Sequence, residues 1–453
     1  MEKKSELQPT LNDIVSLCKR RGFVFQSSEI YGGFTASWDY GPMGVELKNN
    51  IKKSWWDDVV TARENVVGMD GAITTHPRVW EASGHVEGFH DPMVDCKTCG
   101  CRFRADKLDE DRCPKKPSKT PNECGGELTE VREFNLMFKL HWGPVEDSAH
   151  ITYLRPETCQ TIFPNFKNIQ TVTRLNIPFG IAQIGKAFRN EITTKSFVFR
   201  QREFEQMELE FFVHPNEGKK WFEYWLEQRK NWYLSLGIKE KNIRLRQHDP
   251  DELAHYAEDC YDVEYKFPMG WNELEGIANR TDYDLRRHTE YSKKDLSYRD
   301  KSTGERYLPW VIESSAGVDR TFLVLMSDAY AIDEAPNDKG GMEERQLLRF
   351  SPKVAPITVA VFPLFKKPAL VEMARKIEED LRGPYRTFYD AAGNVGKRYR
   401  RQDEIGTPLC ITIDYDSLDD KAVTIRNRDS MEQVRVSIDR IHQAVADQIK
   451  SME

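Results

Sequence analysis

One stretch of the chain alternates strictly between apolar and polar residues, and it constrains the fold more than any other segment. It runs from Glu203 to Val213. The apolar positions are Met207, Leu209, Phe211 and Val213, and the polar positions between them are Gln206, Glu208 and Glu210. Because side chains alternate across a β-strand, this pattern predicts a strand with one face in the core. If the acidic face is also covered, it must meet a cation, since an unpaired buried charge is costly.

A cluster of cations precedes this strand, formed by Lys186, Arg189, Arg200 and Arg202. Guanidinium groups suit polyanions such as nucleotide phosphates, because they offer several donors in a fixed plane. An acidic strand beside a cationic loop therefore predicts a pocket that holds an ammonium group next to a phosphate. The same charges also fit an amphipathic hairpin whose charged face is solvated.

The length of 453 residues predicts two or three domains with a sizeable core. The net charge of −7 excludes a polycation that binds nucleic acid through bulk charge, so any such contact must be local. No run of about 18 apolar residues offers a membrane span. The N-terminal residues also lack the apolar core of a signal peptide. These features predict a cytoplasmic protein without a membrane segment.

The periodicity of apolar residues divides the chain into two parts. Helices are predicted at 11–22, 45–60 and 221–236. After Pro352 and Pro356 the pattern changes to alternating strands and helices. This change predicts one domain over 1–350 and a compact α/β domain over 353–453.

Residues 92–130 carry most of the cysteines of the chain. The candidate metal ligands are Cys96, Cys99, Cys113 and Cys124. Thiolates from two turns can hold a tetrahedral zinc ion, so this spacing predicts a zinc ribbon. A Lys/Pro-rich loop separates the second pair of cysteines, Cys113 and Cys124, in the sequence. Cys101 could compete as a ligand. Reduced cysteines in a cytosolic loop are the alternative.

Several ordered motifs resemble those of class II aminoacyl-tRNA synthetases. Phe188–Glu191 and Phe199–Phe204 resemble motif 2 of that class, Ala316–Arg320 resembles motif 3, and the helix after Gly41 and Pro42 resembles motif 1. More narrowly, four segments resemble the dimeric glycyl-tRNA synthetases, namely Arg155–Thr158, Phe204–Glu208, Trp271–Ala278 and Val311–Gly317. The resemblance runs from about residue 11 to the end of the chain.

The resemblance implies an α+β fold with a six-stranded antiparallel sheet flanked by helices, the cysteine-containing insert, and a C-terminal α/β anticodon-binding domain. It implies a ligase that activates glycine with ATP to glycyl-adenylate and transfers the glycyl group to the terminal ribose of tRNA(Gly). It also implies Mg²⁺ with the ATP, and a homodimer formed through the motif 1 region. A catalytically inactive synthetase-like protein that binds RNA or another protein is the alternative. A zinc-ribbon nucleic-acid binder would explain only residues 92–130.

By the same resemblance, Arg189 would hold the α-phosphate and the substrate carboxylate, and Arg320 would hold the γ-phosphate. Glu191 joins these two as a candidate catalytic residue. The full set of candidate ATP-binding residues is Arg189, Asn190, Glu191, Phe199, Arg200, Phe204, Glu273, Leu274, Glu275, Gly317 and Arg320. Within this set, adenine would stack on Phe204, and Glu275 would bind Mg²⁺.

Glycine offers only an ammonium and a carboxylate, so a selective site must recognise the ammonium by carboxylates and fill the space of any side chain. The candidate glycine-binding residues are Arg104, Glu157, Phe204, Gln206, Glu208, Glu313, Ser315 and Gly317. Since a larger amino acid is rejected by steric overlap, no editing domain is required. The chain departs from the family at Ser314, where a proline is expected, and in the loop Pro114–Glu123.

The C-terminal domain contains a basic, aromatic-containing helix over Gly396–Gly406, which is the most recognisable run of the resemblance there. Such a helix beside a sheet would suit backbone phosphates and unstacked bases of the tRNA. A solvated helix face is the alternative.

Overall fold

The computed structural model describes residues 9–109, 112–144, 150–191, 196–254, 256–336 and 341–452. The α-helices are α1 (Leu11–Arg21), α2 (Pro42–Trp56), α3 (Pro77–Ala82), α4 (His85–Gly88), α5 (Phe166–Thr173), α6 (Gly218–Ser235), α7 (Tyr283–Ser292), α8 (Val318–Ala329), α9 (Pro368–Leu381), α10 (Val395–Ile405), α11 (Asp416–Asp420) and α12 (Ile441–Met452).

The strands in the first half of the chain are β1 (Val24–Gln26), β2 (Trp38–Tyr40), β3 (Val66–Gly68), β4 (His90–Asp95), β5 (Arg102–Arg104), β6 (Arg132–Asn135), β7 (Lys139–His141), β8 (Ile151–Tyr153), β9 (Phe179–Phe188) and β10 (Glu203–Val213). They continue with β11 (Ile243–Gln247), β12 (Asp259–Phe267), β13 (Gly270–Thr281), β14 (Tyr298–Arg299), β15 (Arg306–Tyr307), β16 (Trp310–Gly317), β17 (Tyr330–Pro336), β18 (Met342–Leu348), β19 (Val359–Pro363), β20 (Thr387–Tyr389), β21 (Leu409–Ile413), β22 (Ala422–Asn427) and β23 (Gln433–Ser437).

The first helix shows how local sequence signals set the boundaries of an element. Thr10 precedes α1, and its side chain accepts a hydrogen bond from the Asp13 amide while the Asp13 carboxylate accepts one from Thr10. This reciprocal cap satisfies amides that the helix itself leaves unpaired. At the other end Gly22 adopts a left-handed φ of 71°, a conformation that glycine reaches without steric cost. The predicted helix at 11–22 is confirmed within one residue.

A seven-stranded sheet forms the centre of the larger part of the molecule, in the order β11-β12-β13-β16-β10-β9-β3. Its neighbouring strands are antiparallel except for the edge strand β3, which runs parallel to β9. The expected six-stranded antiparallel sheet is therefore present, and β3 adds a seventh strand that the sequence did not predict. The class II fold itself is confirmed.

The two faces of β10 have the two characters that its alternation predicted. Met207, Leu209, Phe211 and Val213 are buried in one core with α2, α6 and α8. The other face carries Gln206, Glu208 and Glu210, and these polar side chains are buried too. The alternative of a solvated charged hairpin is therefore wrong, and the buried acidic face must be explained by its contacts.

The C-terminal part has its own five-stranded sheet, in the order β20-β19-β21-β22-β23. Strands β20, β19 and β21 are mutually parallel, and the remaining pairs are antiparallel. Helices α9 and α12 cover one face with apolar side chains, and Tyr399 of α10 packs on the other. Strand β23 was not predicted. Val434 and Val436 alternate with polar residues, but the strand is short, mostly exposed and at the edge of the sheet.

Charged side chains join the two parts of the molecule. Buried Arg345 on β18 bonds Asp333 on β17 and also reaches Asp403 on α10, at 2.6 and 3.3 Å. On the same side, Glu404 of α10 pairs with Arg20 and Arg21 at the end of α1. Helix α10 therefore packs against the larger part of the molecule. None of the helices in the described ranges combines the length and apolar character that a bilayer crossing requires.

Candidate active site

A cavity of about 380 Å³ opens on the acidic face of the central sheet. It brings together most of the predicted site residues, namely Glu157, Arg189, Glu191, Phe199, Arg200, Phe204, Gln206, Glu208, Glu273, Leu274, Glu313, Ser315, Gly317 and Arg320. These residues come from segments far apart in the sequence and meet because β9, β10, β16 and β13 lie side by side. One end of the cavity is rich in arginine and the other in glutamate.

At the arginine end, Arg189 is held by aromatic rings. Its guanidinium lies 5.4 Å from the Phe89 ring centroid and 5.3 Å from that of Phe204. Its Nε donates to the carbonyl oxygen of Pro156 at 3.0 Å. Within the described residues, its terminal nitrogens have no hydrogen-bond partner. The group is thus oriented by contacts that leave these donors for an anion.

Arg320, at the start of α8, also lies at this end. Its guanidinium is 3.1 Å from the Glu273 carboxylate and 4.6 Å from the Phe199 ring centroid. The Arg320 charge lowers the pKa of Glu273 against the opposing effect of burial, and Arg189 and Arg200 lower it further. The Glu273 carboxylate therefore sits in a field of three arginines, which is the environment that phosphate groups require.

At the glutamate end, Glu208 accepts hydrogen bonds on both carboxylate oxygens. Thr158 donates to Oε2 from its amide at 3.0 Å and also from its hydroxyl, and Ser315 donates to Oε1 from its hydroxyl at 2.8 Å. These donors are neutral. Burial raises the pKa of Glu208 to about 7, and the nearby carboxylates of Glu313 and Glu157 act in the same direction. A ligand cation would relieve this repulsion.

Glu157 reaches the same end from the loop before α5. His85 Nε2 lies 3.3 Å from its Oε1, and the Cys159 thiol donates to that oxygen at 2.9 Å. Burial raises the pKa of Glu157, but His85 outweighs this effect and the pKa is lowered overall. His85 in turn lies 2.8 Å from the Ser83 hydroxyl through Nδ1. Glu157 is therefore ionised and fixed in orientation.

The glutamate end forms the floor of the cavity, and among the described residues Arg280 is the cation that pairs with its remaining acids. Arg280 on β13 donates to Glu313 at 2.9 Å and holds Asp284 with two further donors. Glu210 is fully buried beneath these groups, and neither of its oxygens has a hydrogen-bond partner among the described residues. Burial, and after it the Glu313 charge, raise the pKa of Glu210 well above its usual range. The acids of the floor outnumber Arg280, which leaves the floor electronegative.

A charged contact behind the cavity links three segments of the class II resemblance. Asp319, the neighbour of Arg320, is buried and bonds Lys48 of α2 at 2.8 Å and the Tyr40 hydroxyl at 2.5 Å. Its other oxygen accepts from the Glu205 amide on β10 at 2.8 Å. This network fixes the start of α8 against α2 and β10, and with it the backbone that carries Arg320.

The structure contradicts the prediction that Glu275 binds Mg²⁺ in this cavity. Glu275 lies on the opposite, core face of the sheet, fully buried, where Arg229 of α6 donates to it at 2.8 Å. The reason is a β-bulge. Val263 and Glu264 are consecutive on β12 but pair with Glu275 and Glu273, so Leu274 is an extra residue. The bulge turns Glu273 and Glu275 to different faces.

Two other predicted residues lie outside the cavity lining. Arg104 pairs with Asp91 and Asp106, each at 2.8 Å, within the insert. Asn190 donates its backbone amide to the Leu136 oxygen at 2.7 Å. Asp91 and Leu136 come from other segments, so local sequence could not show them, whereas Asp106 is only two residues from Arg104. The tip of the motif 2 loop, residues 192–195, lies outside the described residues.

Other functional candidates were missed by the sequence reasoning. Arg280 and His85 each hold a carboxylate of the floor, and Gly276 lies in the cavity wall. A Cβ at Gly276 would meet no atom within 4 Å, so the glycine leaves open space for a ligand. Only Arg280 had a local signal, as a cation at the end of an acidic strand. The outer wall is formed partly by Cys260 and Asp262.

The four predicted metal ligands gather in one small core of the insert. Cys96, Cys113 and Cys124 are buried, and Cys99 is half-buried. The Cys96 thiol contacts those of Cys99 and Cys124, and the Cys113 thiol contacts those of Cys124 and Cys99. The loop Pro114–Glu123 is compact, since Lys116 donates backbone and side-chain hydrogen bonds to the oxygens of Cys113 and Cys124. The extra length therefore does not separate the second pair.

Backbone amides also point at these sulfurs. Those of Thr98 and Cys99 reach Cys96, and those of Lys115 and Lys116 reach Cys113. Amide donors of this kind stabilise thiolates. The chemistry of this donor set, four thiols with amide donors beside them, therefore suits a structural zinc ion.

Known proteins resemble the chain over nearly its whole length. A family model for the tRNA synthetase class II core domain (G, H, P, S and T) matches residues 138–329, and one for an anticodon binding domain matches residues 358–448. Three similar proteins are each named glycine–tRNA ligase. That of Treponema denticola is 56% identical over 98% of both chains. That of Bifidobacterium longum is 52% identical over 98% of this chain and 93% of the relative.

The third relative, from Streptomyces coelicolor, is 52% identical over 97% of this chain and 98% of its own length. Identity of this degree over the full length, together with the two family models in the expected order, leaves no other assignment. The chain belongs to the glycine–tRNA ligase family of class II aminoacyl-tRNA synthetases.

Proposed function

We propose that the cavity activates glycine with ATP and that the protein then charges tRNA(Gly). The observation that carries this proposal is the polarity of the cavity, with buried glutamates at one end and arginines at the other. A zwitterionic amino acid can place its ammonium at the first and its carboxylate toward the second.

In the first step, a carboxylate oxygen of glycine attacks the α-phosphorus of ATP, and the bond to pyrophosphate breaks. Two anions approach each other, so positive groups fixed in advance lower the barrier. Arg189 would hold the α-phosphate and the glycine carboxylate, since its terminal nitrogens are not used within the described residues. In the second step, a terminal ribose hydroxyl of tRNA attacks the glycyl carbonyl and AMP leaves.

The remaining nucleotide contacts follow from the same geometry. Arg320 would bind the γ-phosphate. Its ion pair with Glu273 supports this role, because it shows that the guanidinium can reach an anion at this end of the cavity. Arg200 and Glu191 would border the triphosphate. Phe204 would stack on adenine, with Gly276 leaving open space in the wall.

Mg²⁺ would accompany ATP and neutralise part of its charge. With Glu275 on the core face, Glu273 is the carboxylate of the cavity that would hold this cation, because it is ionised and borders the arginines that would bind the phosphates.

At the other end, Glu157, Glu208 and Glu313 would surround the ammonium of glycine, with Gln206 and Ser315 completing the wall. Glu208 is fixed by neutral donors, Glu157 by His85 and a thiol, and Glu313 by Arg280, which Asp284 shares. A ligand ammonium would therefore add positive charge where the acids are in excess. A longer side chain would be rejected if it overlapped the floor next to these groups.

The proposal is tested by ATP/pyrophosphate exchange with each of the twenty amino acids. Exchange is expected with glycine alone, and no exchange with glycine would favour the inactive synthetase-like alternative. Arg189→Ala should reduce exchange by at least about a hundredfold, as for the loss of a group that stabilises the transition state. Lys186→Ala is the matched control, because its ammonium pairs with Glu203 outside the cavity lining.

The C-terminal part, over 353–453, would read the anticodon, while 1–350 performs the chemistry. Truncation before Lys353 should spare glycine-dependent exchange and reduce charging of tRNA(Gly). Unchanged charging would show that this part is not needed for the reaction. A cytoplasmic location follows from the proposed role in protein synthesis.

The protein would act as a homodimer through the segment around motif 1. Large apolar side chains are exposed there, including Ile30 at 88% and Tyr31 at 87%. Such patches mark interfaces. Sedimentation should show a dimer that the double change Ile30→Asp and Tyr31→Asp converts to a monomer. Val172→Asp, at another exposed apolar site, should leave the dimer intact; a monomeric wild type would reject the proposal.

The insert would bind one structural Zn²⁺ through Cys96, Cys99, Cys113 and Cys124. Metal analysis of the purified protein should find about one zinc per chain. Cys124→Ser should lose the metal, whereas Cys101→Ser should keep it. Absence of stoichiometric zinc from the wild type would leave reduced cysteines as the explanation.

A further inference from the structure

Three side chains that can bind metal ions converge on the outer wall of the cavity. They are His248, Cys260 and Asp262, and their donor atoms all lie within 4.8 Å of one another. All three side chains line the cavity, so an ion could reach them from solvent. The proposed activation of glycine uses none of them, so their convergence has no role in the chemistry described above.

The pairing of two strands fixes this convergence. Cys260 and Asp262 are two residues apart on β12, so their side chains lie on the same face of the sheet. His248 directly follows β11, and its amide donates to the Cys260 oxygen at 3.0 Å, which continues the antiparallel pairing of the two strands. The backbone therefore holds the three donors together before any ion binds, and this lowers the cost of binding.

The contacts of these side chains leave their donor atoms available. Nε2 of His248 is buried, and its 2.9 Å contact with Oδ2 of Asp262 has a geometry that does not form a hydrogen bond. The Cys260 thiol is in no disulfide and, within the described residues, makes no hydrogen bond. Arg246 stands opposite Asp262 in the strand register, but its guanidinium bonds Glu252. A nitrogen, a sulfur and a carboxylate oxygen thus face one another without a lysine or arginine paired to them in the described part of the chain.

The charge around the cluster favours a cation. Burial raises the pKa of the Cys260 thiol to about 12, and the carboxylates of Asp262, Glu313 and Glu273 act in the same direction. Burial also raises the pKa of Asp262, and the Glu273 charge adds to this effect. The negative potential that disfavours a thiolate here attracts a metal ion, and a metal ion lowers the pKa of the thiol that coordinates it.

The mixture of donors indicates which ion fits. Nitrogen, sulfur and oxygen together suit Zn²⁺, whereas Mg²⁺ and Ca²⁺ prefer oxygen ligands alone. We propose that His248, Cys260 and Asp262 form a binding site for Zn²⁺, distinct from the cysteine cluster of the insert and from the Mg²⁺ that would accompany ATP. Zinc with three protein ligands keeps a fourth position, which water or a molecule in the cavity would fill.

Metal stoichiometry tests this site without any substrate, so the result does not depend on the proposed function. The full-length protein and its variants are dialysed against Zn²⁺, and the bound metal is measured. Cys260→Ser should bind about one zinc ion per chain fewer than wild type. Cys124→Ser should keep the ion at the cavity wall, whatever the insert binds. Asp259→Asn is the matched control, because it removes a neighbouring charge but no member of the cluster, and it should bind as wild type does. Equal binding by wild type and Cys260→Ser would overturn the proposal.

A second measurement locates the ion in wild type and needs no folded variant. Alkylation of Cys260 by a maleimide is followed by mass spectrometry of its peptide. Zn²⁺ at about 100 times its Kd should slow this alkylation roughly a hundredfold, since only the metal-free fraction reacts. Excess Mg²⁺ should not slow it, because a hard cation binds a thiolate poorly. Unchanged alkylation with Zn²⁺ would reject the site, and equal protection by Mg²⁺ would reject its preference for zinc.

The same alkylation assay tests the other two ligands. His248→Gln and Asp262→Asn should each raise the Zn²⁺ concentration needed for half protection of Cys260 by at least about tenfold, since even the loss of a residue that only supports a ligand has an effect of this size. Asp259→Asn should change it little. If both ligand variants protect Cys260 as wild type does, the thiol binds the ion without them and the three-residue site is wrong.

Discussion

Glu208 and Glu275 are buried carboxylates on the same sheet, but their bonding partners differ. They lie on β10 and β13, on either side of β16, and point to opposite faces. Neighbouring serines of β16 serve them, since Ser315 donates to Glu208 at 2.8 Å and Ser314 donates to Glu275 at 2.5 Å. The difference is the cation: Glu275 pairs with Arg229, whereas no ion pair reaches Glu208 from the residues that the structure describes.

The comparison separates a structural carboxylate from one prepared for a ligand. On the core face Arg229 neutralises the charge of Glu275. The contribution of this buried ion pair to stability depends on its geometry, because the cost of burying both charges offsets their attraction. On the cavity face the acids repel each other, and the resulting free energy is available to a ligand cation. A buried acid held by neutral donors is therefore a better indicator of an ammonium site than a buried acid alone.

The largest effect is expected on the core face. Arg229→Met should lower the free energy of unfolding by about 3–5 kcal/mol, because it leaves Glu275 buried and unpaired. Urea denaturation measures this change. The double variant Arg229→Met/Glu275→Leu should recover most of the loss, since it removes both charges. A loss below about 1 kcal/mol would show that the two faces do not differ in this way.

A kinetic effect follows on the cavity face. Glu208→Gln should lower kcat/KM for glycine by roughly 30- to 150-fold, equivalent to about 2–3 kcal/mol for a charged hydrogen bond. The KM for ATP should change little, because Glu208 lies at the far end from the arginines. Exchange kinetics at varied glycine and varied ATP measure both. Equal effects on the two substrates would contradict the assignment of Glu208 to the ammonium.

The pH dependence of glycine binding is expected to be smaller. The pKa of Glu208 is raised to about 7 by burial and by Glu313 and Glu157, so the group is mostly protonated below that value. A protonated acid attracts an ammonium less, so the KM for glycine should fall as pH rises from about 6 to 8, by at most about tenfold per unit. A flat profile would show that Glu208 is ionised throughout. Glu208→Gln should abolish the dependence.

The smallest effect is expected at Ser314. Ser314→Ala removes one hydrogen bond to Glu275 but leaves Arg229 in place, so stability should fall by about 1–2 kcal/mol. Glycine-dependent exchange should be nearly unchanged, because this hydroxyl points to the core. Denaturation and exchange assays on the same preparation test both statements. Loss of glycine binding without loss of stability would mean that Ser314 acts on the cavity.

Much of the fold could be predicted because local patterns decided it. Strand β10 has the bounds that its alternation predicted, and so does β21 over Leu409–Ile413. Helix α1 ends where its glycine requires. Strands β3 and β23 were not predicted, and both are short edge strands that pair with a single neighbour. In β23, Val434 and Val436 do alternate with polar residues, a signal that the sequence reasoning missed.

The candidate site was predicted as a set of residues but not as a set of contacts. Most of the motif residues meet in one cavity, which the sequence could indicate only through resemblance. Glu275 was misassigned because a bulge at Leu274 reverses the alternation, and nothing in the local sequence marks that bulge. Arg280 and His85 were missed because their carboxylate partners are distant in the chain.

The sequence by itself determined the alternation of β10, the acidic and cationic segments of the cavity, and the family. Only the tertiary structure decided which charges are neutralised, because a cation can come from any segment that packs nearby. Helix α6 supplies Arg229 to the core face, and Arg400 and Arg401 of α10 pair with carboxylates of the protein. Charge along a chain is a property of its residues, whereas charge available to a ligand depends on packing.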